Sequence, residues 1–477
     1  MGQKAENINA LFAEPLEVAN VGVELFYQAV RGQNTAAVQV DWRPPAGGDP
    51  RMAEILGRLE RFSPDIGAAN REAQSRLDRG DPVWTGMVYA KDVLPDMDRY
   101  TIGHAGPALS WEEMCGPLKG AVIGAVRYEG LAQTEEEAVA LVESGKIKFR
   151  PNHSAACVGP MTGMITWSMP LFRVENRAFG NTAYCTINEG LGKVMRFGAN
   201  DDSVLARLKW LETVLAPALQ RAVDLHGPFP LKVLMAKALS MGDEMHQRNI
   251  AASSLFAREV MSSLVRAVED REQLGAIVDF ITGNDQFFLN LAMASCKAIC
   301  DAVRDIPNCT IVTAMSRNGT NFGINVSHLG DQWFQAPVLM PQGLFFPGYG
   351  PEDANPDIGD SAITETYGIG GFTMAAAPAV VRFVGAASAQ QAMDYTRDMY
   401  EITQGVNAQL TIPGMDFKGA PMGIDIRKVV DSGLTPVINT GMAHKKPGIG
   451  QVGAGIVRAP LECFTQALEA MAESMGV

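Results

Sequence analysis

From about residue 202 to residue 303 the apolar residues recur at helical spacing almost without a break. Residues 202–225 read as helix, and residues 231–303 as nearly continuous helix interrupted around Gly283. Strand-like segments and glycine-rich turns flank this stretch on both sides. The expected architecture is therefore α/β (α+β) and multidomain, with an α-rich insert among mixed elements. The length, 477 residues, exceeds one ordinary core and suggests roughly two to four domains. The expected division is an N-terminal Rossmann-like α/β domain (1–100), a mixed α/β domain (101–202), an α-rich segment (203–305) and a C-terminal α/β domain with long Gly/Pro loops (306–477).

The opening reads strand (18–23), helix (24–31), strand (36–40), which is the order of a βαβ unit. The turn after the first strand lacks G-x-G-x-x-G, so a dinucleotide site has no motif support. Asp41 and Arg43, at the end of the second strand, either touch a ligand or pin the turn. Further on, a helix is expected over 64–78, and residues 120–128 look strand-like. Thr134-Glu135-Glu136-Glu137 opens a helix with a capping box. Residues 152–163 read as loop and turn, and 164–174 as strand.

A net charge of −13 excludes the basic footprint of a nucleic-acid binder. No short basic run favours a membrane surface, and no apolar run is long enough to span a bilayer. The start of the chain lacks the layout of a signal peptide. Seven cysteines occur without a Cys-x-x-Cys pair, and Cys296 and Cys300, four apart, read as core filling. These features describe a cytoplasmic protein.

Four polar clusters interrupt the apolar pattern. The first is Gly242-Asp243-Glu244-Met245-His246-Gln247-Arg248-Asn249. On a helix, Asp243, His246, Asn249 and Ser253 would share one face, giving either a solvated helix start or an acid–base site. The second is the helix after Gly283, beginning Asn284-Asp285-Gln286, on which Asn290 and Lys297 lie seven apart. A lysine on so apolar a helix must snorkel, pair or bind an anion.

The third cluster is the hairpin of residues 310–327, turning at Ser316-Arg317-Asn318-Gly319-Thr320. Asn-Gly with both central residues at positive φ accounts for Asn318 and Gly319. It leaves Arg317 as a fork suited to carboxylate or phosphate. The fourth is the loop 343–366, with Asp353, Asn355, Asp357 and Asp360. It is expected to be ordered and to line a site. Its aspartates either cap turns or, less in keeping with their spacing, hold a divalent cation. A lesser feature is Asn439-Thr440-Gly441-Met442-Ala443-His444-Lys445, a glycine-rich turn with cationic neighbours but no P-loop.

Taken in order, residues 41–49, 242–249, 284–291, 316–320, 352–360 and 436–441 (Asp-Trp-Arg-Pro-Pro-Ala-Gly-Gly-Asp, Gly-Asp-Glu-Met-His-Gln-Arg-Asn, Asn-Asp-Gln-Phe-Phe-Leu-Asn-Leu, Ser-Arg-Asn-Gly-Thr, Glu-Asp-Ala-Asn-Pro-Asp-Ile-Gly-Asp and Pro-Val-Ile-Asn-Thr-Gly) resemble the YlbE-like family, long catalogued as a domain of unknown function. The resemblance runs from about residue 18 to residue 459. It implies an AllG-like subunit of oxamate carbamoyltransferase, in bacterial allantoin (purine) breakdown. The implied reaction is phosphorolysis of oxalurate to oxamate and carbamoyl phosphate. The implied partners are an acyl-CoA-synthetase-like (FdrA-like) subunit and a third small subunit in an oligomer. No residue roles come with the resemblance.

That chemistry needs a cationic cradle for phosphate, donors for a developing oxyanion and an acid for the departing nitrogen. The residues suggest Arg317 with Ser316 and Thr320 as cradle, and Asn318 or Asn290 on the carbonyl. His246 is the expected proton carrier, oriented by Asp243. Substrate contacts are expected from Arg248, Asn249, Asn284, Asn290, Lys297, Asp353, Asn355, Asp357, Asp360, His444 and Lys445. No cofactor beyond co-substrate phosphate is expected. Two rivals stand beside this reading: a non-catalytic metabolite-binding or scaffold subunit, and a lone ureidohydrolase.

Overall fold

The computed structural model describes residues 15–40, 42–190, 192–385 and 388–476. The fold is mixed α/β, as the pattern of elements implies. One half is built on a five-stranded sheet in the order Cys157–Val158, Asn181–Thr186, Pro170–Asn176, Pro82–Tyr89, Phe229–Pro230. Helix Leu289–Asp301 packs against this sheet and is buried along almost its whole length. A helix this rich in apolar residues lies inside a core, and its apolar side chains belong to the larger apolar cluster, while Asn290 and Lys297 are buried with them. Cys296 and Cys300 are buried within it.

The other half joins two sheets. One has the order Phe334–Pro337, Asn321–Val326, Val312–Asn318, Ile358–Gly359, and the other Gln342–Phe345, Gln451–Arg458, Val437–Ala443. Helices Pro50–Leu59, Ile426–Ser432 and Leu461–Ser474 share a second apolar cluster with them. The polar ends of Val312–Asn318 and Val437–Ala443 meet the loop of residues 353–371 between these two cores. That meeting point positions the site.

Several local expectations are met. Helix Ser63–Arg79 forms, and Thr134 and Glu137 make the reciprocal capping box. The N-terminal strands Glu17–Val21 and Ala36–Val40 pair in parallel around helix Glu24–Arg31. Among the described residues they form a two-stranded sheet rather than the start of a larger one. Arg43 is exposed, and Asp41 lies outside the described residues.

Others are corrected. Residues 120–128 belong to helix Gly116–Tyr128, not a strand. Pro117 occupies its first turn, where a missing N–H costs nothing. The long helical stretch is four helices: Leu231–Ser240, Ile250–Ala267, Arg271–Thr282 and Leu289–Asp301. The hairpin turns on Gly319 at φ 83°, and Asn318 stays in the strand instead of taking positive φ. Among the described residues, no helix is long and apolar enough to cross a membrane.

Candidate active site

The polar run 242–249 is a loop between helices, so the expected helical face does not form. Gly242 at φ 92° and Met245 at φ 62° break the helical path. The buried Glu244 carboxylate then accepts the backbone N–H groups of His246 (2.9 Å), Gln247 (2.7 Å) and Arg248 (2.7 Å). A side chain bonding its own neighbouring backbone competes with helix formation in this way. Burial pushes the Glu244 carboxyl up to about 7.

This loop delivers His246 to Glu365, on the short helix Ile363–Tyr367. His246 Nδ1 lies 2.7 Å from Glu365 Oε1 and 2.9 Å from Oε2. Both residues are buried. Glu365 also accepts from Gly371 N–H (2.8 Å), Asn439 N–H (3.2 Å) and Thr364 Oγ1 (2.9 Å). A carboxylate on Nδ1 fixes the tautomer with the proton there, which makes Nε2 the exchangeable position. Nε2 has no hydrogen-bond partner among the described residues. Gly370, at φ 64°, lets the chain pass this pair. A Cβ there would overlap Glu365 Oε1 and press on His246 Cβ at 3.1 Å.

Asp243, expected to orient His246, has a different role. It accepts Ala252 N–H at 2.8 Å and lies 3.1 Å from Arg248 Nε, so it starts the next helix and holds Arg248. Asn249 Nδ2 donates to the His246 carbonyl (3.0 Å) and to Gln286 Oε1 (2.9 Å). Asn284 and Asn290 form a second group with Asn188: Asn284 Nδ2 donates to Asn188 Oδ1 at 3.1 Å, and Asn188 Nδ2 to Asn290 Oδ1 at 3.2 Å. Lys297 neither snorkels nor stands free. Its Nζ donates to Asp301 at 2.6 Å and to the His153 carbonyl at 3.3 Å.

Arg317 is completely buried and its fork is taken. Nε donates to Asp357 Oδ2 at 2.7 Å, Nη2 to Oδ1 at 3.2 Å, and Nη1 to the Gly359 carbonyl at 2.7 Å. Thr440 Oγ1 adds a bond to Asp357 Oδ1 at 2.7 Å. Ser316 Oγ donates to Asp360 Oδ1 at 2.6 Å, and Asp360 further accepts Gly106 N–H, Asn152 Nδ2 and Gly159 N–H. Asn318 Oδ1 accepts the N–H groups of Thr320 and Asn321, and Thr320 Oγ1 donates to the Glu113 carbonyl. These residues hold the hairpin and the loop together.

The aspartates do not converge. Asp353 accepts Gly350 N–H at 3.0 Å and lies 3.6 Å from His444 Nε2, apart from the Arg317–Asp357 pair. Asn355 bonds the Pro356 carbonyl, and Lys445 Nζ bonds the Glu352 carbonyl. Among the described residues there is no group of three His, Cys, Asp or Glu side chains that could hold a metal.

Sequence reasoning misses Glu365, Asn188 and the backbone-binding role of Glu244. Glu365 carries one signal, a charge flanked by two threonines at the end of the loop already singled out.

Fold and site define a mixed α/β protein with a buried, carboxylate-oriented histidine, a constellation fit for proton transfer. The family model described as oxamate carbamoyltransferase subunit AllG matches residues 147–361, which include His246 but stop short of Glu365. The chain is 51% identical to oxamate carbamoyltransferase subunit AllG of Escherichia coli (strain K12), over 86% of this chain and 99% of that one. It is 44% identical to the uncharacterized protein YahG of the same organism, over 98% and 99%. A crystal structure of a conserved protein of unknown function from Enterococcus faecalis V583 superposes with TM-score 0.84 at 44% identity, covering 86% of this chain and 98% of that chain. The chain belongs to the AllG family.

Proposed function

We propose that the chain is a subunit of a carbamoyltransferase that acts on a small ureido acid, with oxalurate and phosphate giving oxamate and carbamoyl phosphate. A related ureido acid is the second substrate reading. The observation that carries the proposal is the His246–Glu365 pair, in a chain about half identical to a protein named for this reaction.

In this reading a phosphate oxygen attacks the ureido carbonyl and the carbon–nitrogen bond to oxamate breaks. His246 Nε2, protonated beforehand, gives its proton to the departing nitrogen, and Glu365 stabilises the imidazolium before transfer. Because Asp357 occupies the fork of Arg317, the phosphate cradle comes from another residue or from a partner subunit. Turnover then belongs to a cytoplasmic assembly with an acyl-CoA-synthetase-like (FdrA-like) subunit and a third small subunit.

The test is oxamate-dependent phosphate release from carbamoyl phosphate, by the chain alone and with those partners. Release in either case supports the reading. Its absence in both favours a scaffold role.

A further inference from the structure

Three buried polar atoms near the dyad lack hydrogen-bond partners among the described residues: both side-chain atoms of Asn439 and Oδ1 of Asn249. Each belongs to a residue bonded directly to the dyad. Asn439 N–H reaches Glu365 Oε1, and Asn249 Nδ2 reaches the His246 carbonyl. Both residues are fully buried. A buried amide without partners is costly, and native interiors tolerate few of them. Packing does not require an amide at 439, since an apolar side chain of similar size would avoid that cost.

The backbone at 439 is held firmly. Its own N–H is committed to Glu365, and the next residue, Thr440, is tied to Asp357. Alternation along strand Val437–Ala443 sends the Asn439 and Thr440 side chains to opposite faces. The carboxamide is thus set on a fixed strand whose backbone is tied to the carboxylate that orients His246, with one donor group and one acceptor available.

We infer that Asn439 recognises the carboxamide end of the ligand, an amino group and a carbonyl oxygen on one carbon, with Asn249 Oδ1 as a second acceptor. This rests on the carbamoyl-transfer reading. A carboxamide is self-complementary: the Asn439 amide N–H donates to the ligand carbonyl, and its carbonyl accepts a ligand N–H. Oxamate and the carbamoyl group both carry this unit, whereas a simple carboxylate lacks the N–H.

The test is oxamate binding to the full chain, alone and in its assembly, followed by thermal shift and titration calorimetry. Wild type should show a rise in Tm with oxamate. Asn439→Ala should weaken binding by at least about tenfold, the loss of one good hydrogen bond, with little change in the Tm of the free chain. Asn439→Asp keeps the shape, and its binding should recover as pH falls, because only the protonated carboxyl offers a donor beside an acceptor. A merely structural amide gives no such recovery. Binding by Asn439→Ala within about twofold of wild type, or no recovery in Asn439→Asp, overturns the inference and leaves the carbamoyl-transfer reading in place. Wild type indifferent to oxamate, alone and assembled, overturns both.

Discussion

Glu365 holds His246 by Nδ1 at 2.7 Å across 119 residues of chain. Gly370 leaves room beside both side chains, and Gly371, packed against the Val437 carbonyl where a Cβ would not fit, donates its N–H to Glu365. Asn439 N–H bonds the same carboxylate oxygen, Oε1, and Thr364 Oγ1 bonds the other. The histidine is oriented by groups that come from three separate parts of the chain.

Gly370→Ala should therefore damage the pair directly. It adds a Cβ where Glu365 Oε1 sits and strains a left-handed backbone, at a cost of about 1–3 kcal/mol. Urea unfolding should show that loss, together with a fall in transfer rate as Glu365 is displaced.

Arg317 and Asp357 form a bidentate pair with both side chains out of water. Arg317→Ala leaves Asp357 buried and uncompensated, and should cost about 3–5 kcal/mol. The double variant Arg317→Ala/Asp357→Ala should lose less than the sum of the single losses in a double-mutant cycle. Additive losses would show that the pair does not couple.

Glu244 predicts a pH signature. Burial raises its carboxyl to about 7 in the folded chain, against an ordinary value of 4.5. The folded state then binds more protons than the unfolded state between those values, so stability falls as pH rises through that window and is level above it. The size is at most about 3 kcal/mol. Chemical denaturation at pH 5 and pH 8 measures it. Glu244→Gln should be more destabilising relative to wild type at pH 5 than at pH 8.

The parts legible in the sequence are those set by near neighbours. The Thr134–Glu137 capping box needs only residues three apart, and it forms as expected. Helix Gly116–Tyr128 escapes the sequence because a short apolar run looks alike in strand and buried helix, although Pro117 marks its first turn. His246 is marked by its polar surroundings, but its partner is not. Spacing within the run favours Asp243, whereas tertiary structure supplies Glu365. Arg317 looks like a ligand fork because its own partner, Asp357, is 40 residues away on another element.

The most direct measurement is carbamoyl transfer between carbamoyl phosphate and oxamate by the assembled enzyme carrying His246→Ala in this chain, with thermal unfolding as a control for folding. The account predicts a rate lower by about 10²–10⁴-fold in a chain that still folds. A wild-type rate in that variant would contradict it and remove His246 from the chemistry.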